Sequence, residues 1–243
     1  MKNSVAIFKN QMKEFKSDWS QWYIFGMFLL GGMLLPFAID SGLIESDYFV
    51  YGYGREITLG VGVMFACGIG ILILPAMVAN HRSNSYLSNH SMATYLIGIG
   101  GFYLSLIMVV GAFFAWRGGL SGLAFGNFLL LILLGAMCSM LVGSMIGFLV
   151  KNAKIASMIA IPLGVVVLLF SKFRNGVPAF QGAEALRPIL DLFYMNRLNY
   201  MLMEREMDIF TDDMLVVLVN IVVLSLLFAV LCKIKRSCPG IDQ

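Results

Sequence analysis

Long apolar stretches, broken by short polar ones, set the rhythm of this chain. Six segments, at about 22–39, 57–79, 93–116, 122–150, 155–171 and 214–232, contain no Asp, Glu, Lys, Arg or His. A helix crossing a bilayer needs roughly 20 mainly apolar residues. Lipid also leaves no exposed backbone group satisfied, so an isolated apolar segment of that length has to be a helix. The pattern predicts an all-α integral membrane protein with six transmembrane helices, the fourth long enough to tilt and the fifth slightly short. All of 1–243 belongs to one transmembrane domain.

Two polar stretches carry a helical period of their own. Along residues 1–21 and into the start of the first span, Val5, Phe8, Met12, Phe15, Trp19 and Trp22 recur every third or fourth position, with Lys9, Lys13, Glu14, Lys16 and Asp18 between them. That spacing predicts an amphipathic interfacial helix on the cytoplasmic side, with its Trp residues at headgroup depth. In the long stretch 172–213, Leu190, Phe193, Tyr194, Arg197, Leu198 and Met201 are helically spaced behind Pro188, a residue tolerated in a first turn. It is too polar to span yet apolar enough to dip, and predicts a short re-entrant or interfacial helix before the last span.

Composition and charge narrow the class. The 243 residues are 59% hydrophobic and 13% charged, against about 25% charged in ordinary globular domains. So few charges exclude a water-soluble enzyme. With six spans, both termini share a side with the second and fourth loops. That side holds ten basic and three acidic residues, net +7, and the other holds seven basic and eleven acidic, net −4, together the chain's +3. Basic loops stay inside, so the expected location is the cell membrane with both termini cytoplasmic and 172–213 external. The basic residues are a topology signal, and nothing points to nucleic acid.

Motifs for chemistry are missing. No G-x-x-x-x-G-K-[ST], H-E-x-x-H, G-x-S-x-G or C-x-x-C occurs. His81 and His90 are nine residues apart without a Cys or carboxylate companion, which is no zinc spacing. Cys67, Cys138, Cys232 and Cys238 read as reduced packing residues. The expected set is no catalytic residue, no cofactor-binding residue and no metal ligand. Spans without ionisable groups also argue against proton- or ion-coupled transport and intramembrane catalysis, and less strongly against a channel whose filter uses carbonyls. Gly118, Gly122 and Gly126, and again Gly143 and Gly147, recur every fourth residue, a pattern that lets helices approach closely. Pro36, Pro75 and Pro162 fall where they can kink spans.

The whole layout resembles the type-2 ABC exporter permeases: an amphipathic N-terminal helix, six spans, a short polar cytoplasmic segment after span two and a long external loop before span six. Two stretches carry the local likeness. Val142-Gly143-Ser144-Met145-Ile146-Gly147-Phe148-Leu149-Val150-Lys151-Asn152-Ala153-Lys154-Ile155-Ala156 resembles the family's glycine-rich fourth span, basic turn and fifth span. Arg187-Pro188-Ile189-Leu190-Asp191-Leu192-Phe193-Tyr194 resembles its proline-led helix before the last span. His81-Arg82-Ser83-Asn84-Ser85 departs from the acidic residues and Gly-Thr pair often found after span two.

The resemblance implies the permease subunit of an ATP-driven exporter. Two such chains, identical or paralogous, would form the substrate path, and a separate ABC ATPase subunit would bind ATP and magnesium. Its expected contacts are His81, Arg82 and Tyr86 in a coupling segment, with Phe8 and Phe15 of the N-terminal helix. A charge-free path would suit a hydrophobic or amphipathic cargo such as a peptide, drug or lipid-like molecule. The alternatives are a non-transporting membrane partner, such as a sensor or immunity subunit, and a stand-alone channel.

Overall fold

The computed structural model describes residues 2–17, 54–83, 92–150, 152–170, 192–203, 209 and 211–237, with nine scattered positions between 22 and 41. Among them there are seven helices and no strand. These are α1 (Lys2–Ser17), α2 (Gly54–Ser83), α3 (Met92–Arg117), α4 (Gly122–Leu149), α5 (Ala153–Phe170), α6 (Tyr194–Met203) and α7 (Asp212–Ser237). Four are long and apolar enough to cross a membrane, over Thr58–His81, Thr94–Arg117, Gly122–Leu149 and Asp212–Ile234. The chain therefore has the helices of an integral membrane protein. The first expected span, 22–39, lies outside the described residues as a continuous element, as do Pro36, Pro188 and Cys238.

α2 and α7 outrun the apolar stretches that announced them. α2 starts at Gly54 and takes in His81 and Arg82, and α7 continues through Lys233, Lys235 and Arg236. Hydropathy marks what suits hydrocarbon, whereas a helix stops only where its hydrogen bonding does. Charge favours both extensions of α7, since Asp212 and Asp213 lie in its first turn and the basic residues in its last turns. Pro75 and Pro162 stand inside α2 and α5, which run through them.

Two tight turns are explained residue by residue. α3 ends in a Schellman motif: Leu120 N–H donates to the Ala115 carbonyl at 2.9 Å and Gly119 N–H to that of Trp116 at 3.0 Å. This needs a left-handed residue, and Gly119 supplies it with φ 69°. α5 is capped by Asn152, whose Oδ1 accepts from the Lys154 backbone N–H at 2.9 Å.

The described chain forms two compact units. The first comprises Met1–Ala66, Ser88–Leu133 and Met201–Asp208. Its core joins Leu59, Val63 and Phe65 of α2, Tyr103, Ile107 and Phe114 of α3, and Phe128, Leu131 and Ile132 of α4, all buried. Glycines let these helices approach. A methyl group at Gly62 would stand 3.1 Å from Phe114 and Phe128, and one at Gly111 would stand 3.0 Å from Ile132. Between lipid-embedded helices the hydrophobic effect supplies little, so such close contact carries the packing.

The second unit comprises Cys67–Leu87, Leu134–Tyr200 and Ile209–Gln243. Here α2 and α4 approach backbone to backbone. A methyl group at Gly143 would collide with the Gly70 carbonyl oxygen, and one at Gly147 with that of Pro75. α5 buries a small-residue stripe, Ala156, Ala160 and Gly164, the last of which faces Leu72. α7 touches α4 through Phe228, whose ring centroid is 5.8 Å from that of Phe148. Otherwise α7 is bare: 6% of its apolar stretch is buried, against 72% for α2. A helix this apolar and this exposed fits a hydrocarbon surrounding rather than water.

The two glycine series do not act alike. The spacing allows close approach within a bundle or across a dimer, and Gly143 and Gly147 are used within the chain. Of the other three, Gly118 presses on Leu59, Gly122 occupies a positive φ of 57°, and Gly126 faces open space. Gly118 precedes the turn and Gly122 and Gly126 follow it, so their four-residue spacing does not run along one helix.

Candidate functional site

The first cluster surrounds α1. Phe102 of α3 is its hub: Phe8 meets it edge-on at 5.6 Å, Phe15 at 5.6 Å, and Tyr103 at 5.1 Å. Trp22 closes on Phe15 at 4.9 Å. Gln11 is buried between these aromatics, its Nε2 donating to the Tyr103 hydroxyl at 3.5 Å. Further along, Ile7 and the Ser4 carbonyl press on Gly98, where a methyl group would stand 2.8 Å from Ile7. The packed face of α1 is therefore Ser4, Ile7, Phe8, Gln11 and Phe15. Val5 and Met12, expected on the same stripe, are turned outward at 53% and 40% exposure. The structure rotates the stripe because an aromatic-lined groove beside two small residues, Gly98 and Gly101, accepts Phe8 and Phe15 first.

This places the sequence-predicted residues. Phe8 and Phe15 come together on Phe102 and point into the chain. His81 is buried in the last turn of α2 at 4% exposure. Arg82 follows it in α2, its side chain outside the described residues, and Tyr86 lies outside them altogether. Phe8 and Phe15 belong to the first unit and His81 to the second.

The second cluster is where α6 rests in the second unit, and its key residue, Gly135, is not part of any pattern read from the sequence. A methyl group there would stand 2.7 Å from the Cys67 sulfur and 2.9 Å from Leu198 Cδ1. Gly135 is thus a dent in α4 that receives Leu198 of α6 beside Cys67 of α2, with Cys138 one turn further along α4. The only hint in the sequence is the interruption of a leucine-rich run by Gly135-Ala136. Tyr194, Met195, Asn196 and Leu198 of α6 are all buried, so the helix predicted before the last span exists and packs as part of the protein interior. Cys67, Cys138 and Cys232 are free thiols, and the first two are buried.

Polar contacts tie α6 to α7. Arg197 Nη1 pairs with Asp213 Oδ1 at 2.6 Å, with the two side chains 20% and 7% exposed. Asn220 Nδ2 donates to the carbonyls of Leu192 and Val216 at 2.8 Å each. The Tyr194 hydroxyl, by contrast, is buried with no hydrogen-bond partner among the described residues. Burial pushes its phenol well above the ordinary tyrosine range, and the nearby Cys67 and Cys138 add to the rise. Tyr194 therefore stays neutral and can act only as a hydroxyl. Among the described residues, no three His, Cys, Asp or Glu side chains cluster as metal ligands would.

No family model matches this chain, and no curated protein or solved structure matches it.

Proposed function

We propose that this protein is the permease subunit of an ATP-driven exporter, working as a dimer with a separate ATPase subunit. The observation that carries the reading is the combination in one chain of bilayer-length helices, free of Asp, Glu, Lys, Arg and His except at their ends, and a helix outside them packed on α3. Such spans offer helix packing and a charge-free path but no group for chemistry, so the energy has to enter through a partner. The sequence has no phosphate loop of its own.

In this reading the chain crosses the membrane six times, with 22–39 as the first span, α5 as the fifth, and both termini in the cytoplasm. α1 lies in the cytoplasmic interface. The ATPase docks on the segment that follows α2, where Arg82 and Tyr86 are its contacts. His81 is buried and holds the base of that segment, while Phe8 and Phe15 act indirectly by fixing α1 to α3. ATP-driven closure of the partner would switch the permease dimer between two packings. The cargo is a hydrophobic or amphipathic molecule.

The test is mild affinity purification of the tagged chain from its native membranes, followed by an ATPase assay. A stoichiometric partner with a phosphate loop is expected, its ATPase activity lost when its loop lysine is changed. A chain that elutes alone even after crosslinking would overturn the proposal.

A further inference from the structure

α1 presents one face to α3 and a different one outward. The outward stripe is Val5, Lys9, Met12 and Lys16, at intervals of four, three and four residues, with Lys13 beside it, and all five are exposed. At 100° per residue these five occupy a sector next to the packed face. Glu14, the one acid of α1, falls on the far side of the wheel. Alternating apolar and basic residues along a single stripe is the arrangement in which short apolar side chains enter the acyl boundary while lysine stems snorkel to the headgroups.

The packing of α1 fixes which end of α3 it lies against. Its packed face meets Gly98, Gly101, Phe102 and Tyr103 of α3. Those residues fall four to nine positions beyond Thr94, where the apolar span begins, so α1 lies beside that end of α3. An interfacial helix sits in the same way beside the end of a span.

We infer that the outward stripe of α1 is a binding surface for anionic phospholipid headgroups, held in register by the aromatic grip on Phe102. Charge complementarity selects the occupant, because three exposed lysines unopposed on their own face attract an anionic leaflet. This inference rests on the membrane reading of the chain and is independent of the ATPase partner.

The experiment uses the full chain carrying W19F and W116F, so that Trp22, stacked on Phe15, is the one reporting indole. It is reconstituted into phosphatidylcholine vesicles containing either brominated phosphatidylglycerol or brominated phosphatidylcholine, and quenching of Trp22 gives the relative association constant. The expected ratio favours the anionic lipid by at least about fivefold, the value of one lysine near an anionic surface. It falls towards one in K9Q/K13Q/K16Q and at 1 M salt. These lysines are exposed, so the variant keeps the packed face intact. A ratio below twofold in the parent chain, or one unchanged in the triple variant, overturns the inference. Loss of a copurifying ATPase from the triple variant with no lipid preference in the parent also overturns it, and assigns the stripe to a protein. Failure to find any ATPase leaves the lipid ratio untouched and counts against the exporter reading alone.

Discussion

At the scale of single residues, adding or removing one group separates contacts that the sequence pattern treats alike. Gly143→Ala forces a methyl group against the Gly70 carbonyl, and backbone cannot step aside as a flexible side chain can. Overpacking of this kind costs about 1–3 kcal/mol, so the apparent Tm in detergent should fall by roughly 3–10 °C. Gly126→Ala meets open space inside α4 and should be neutral or stabilising by up to about 1 kcal/mol. Equal losses for both would mean that α2 and α4 do not meet at Gly143. Tyr194 gives the converse test. Its hydroxyl is buried without a partner among the described residues, and such a group costs about 1–3 kcal/mol. Tyr194→Phe should therefore raise the melting temperature, and a clear fall would show that the hydroxyl is bound. Gly143 was legible because Gly143 and Gly147 lie one turn apart in one helix. Gly135 was not, since a lone glycine has no period, and only the arrival of Leu198 gives it a role.

At the scale of elements, α6 is the instructive case. It is ten residues long, too short to be stable alone in water, and its order comes from tertiary contacts. Leu198 fills the dent at Gly135, and Arg197 pairs with Asp213 on α7. Removing one partner leaves the other charge poorly solvated. The expected cost of Arg197→Gln or Asp213→Asn is about 2–3 kcal/mol, below the range for a fully buried pair because Arg197 keeps a fifth of its side-chain surface exposed. The double variant should lose less than the two single losses together, by about 1–2 kcal/mol in a thermal-unfolding cycle. Strict additivity would mean that the ion pair does not hold α6. The helical spacing of Leu190 to Met201 announced this helix, but its start at Tyr194 and its burial depend on α2, α4 and α7.

At the scale of the whole molecule, the chain's charge asymmetry is the strongest physical signal. The two loop sets carry net +7 and −4 under a six-span reading. Both termini should then report a cytoplasmic location when fused to enzymatic reporters that work on one side of the membrane. Opposite locations for the two ends would remove one span, and 22–39 is the first to reconsider. The exporter proposal stands at this scale too, since it depends on assembly with other chains rather than on any one side chain.

What the sequence determined by itself is the helical class, the approximate extent of α2 to α5 and α7, the existence of α1 and α6, and the scarcity of charge within the apolar helices. These follow from length, hydropathy and period, which are local quantities. The tertiary structure alone decided which face each helix uses. α3, α4 and α7 are apolar nearly all round, so their hydropathy carries no directional signal, and beyond the Gly143 and Gly147 pair of α4 shape has to choose the partner. On α1 a direction was readable, yet it was rotated. Hydropathy grouped Val5 and Met12 with Phe8 and Phe15, whereas the groove at Gly98, Gly101 and Phe102 accepts the aromatics with the buried Gln11. The shape of a neighbouring helix, which is non-local by nature, settled that choice.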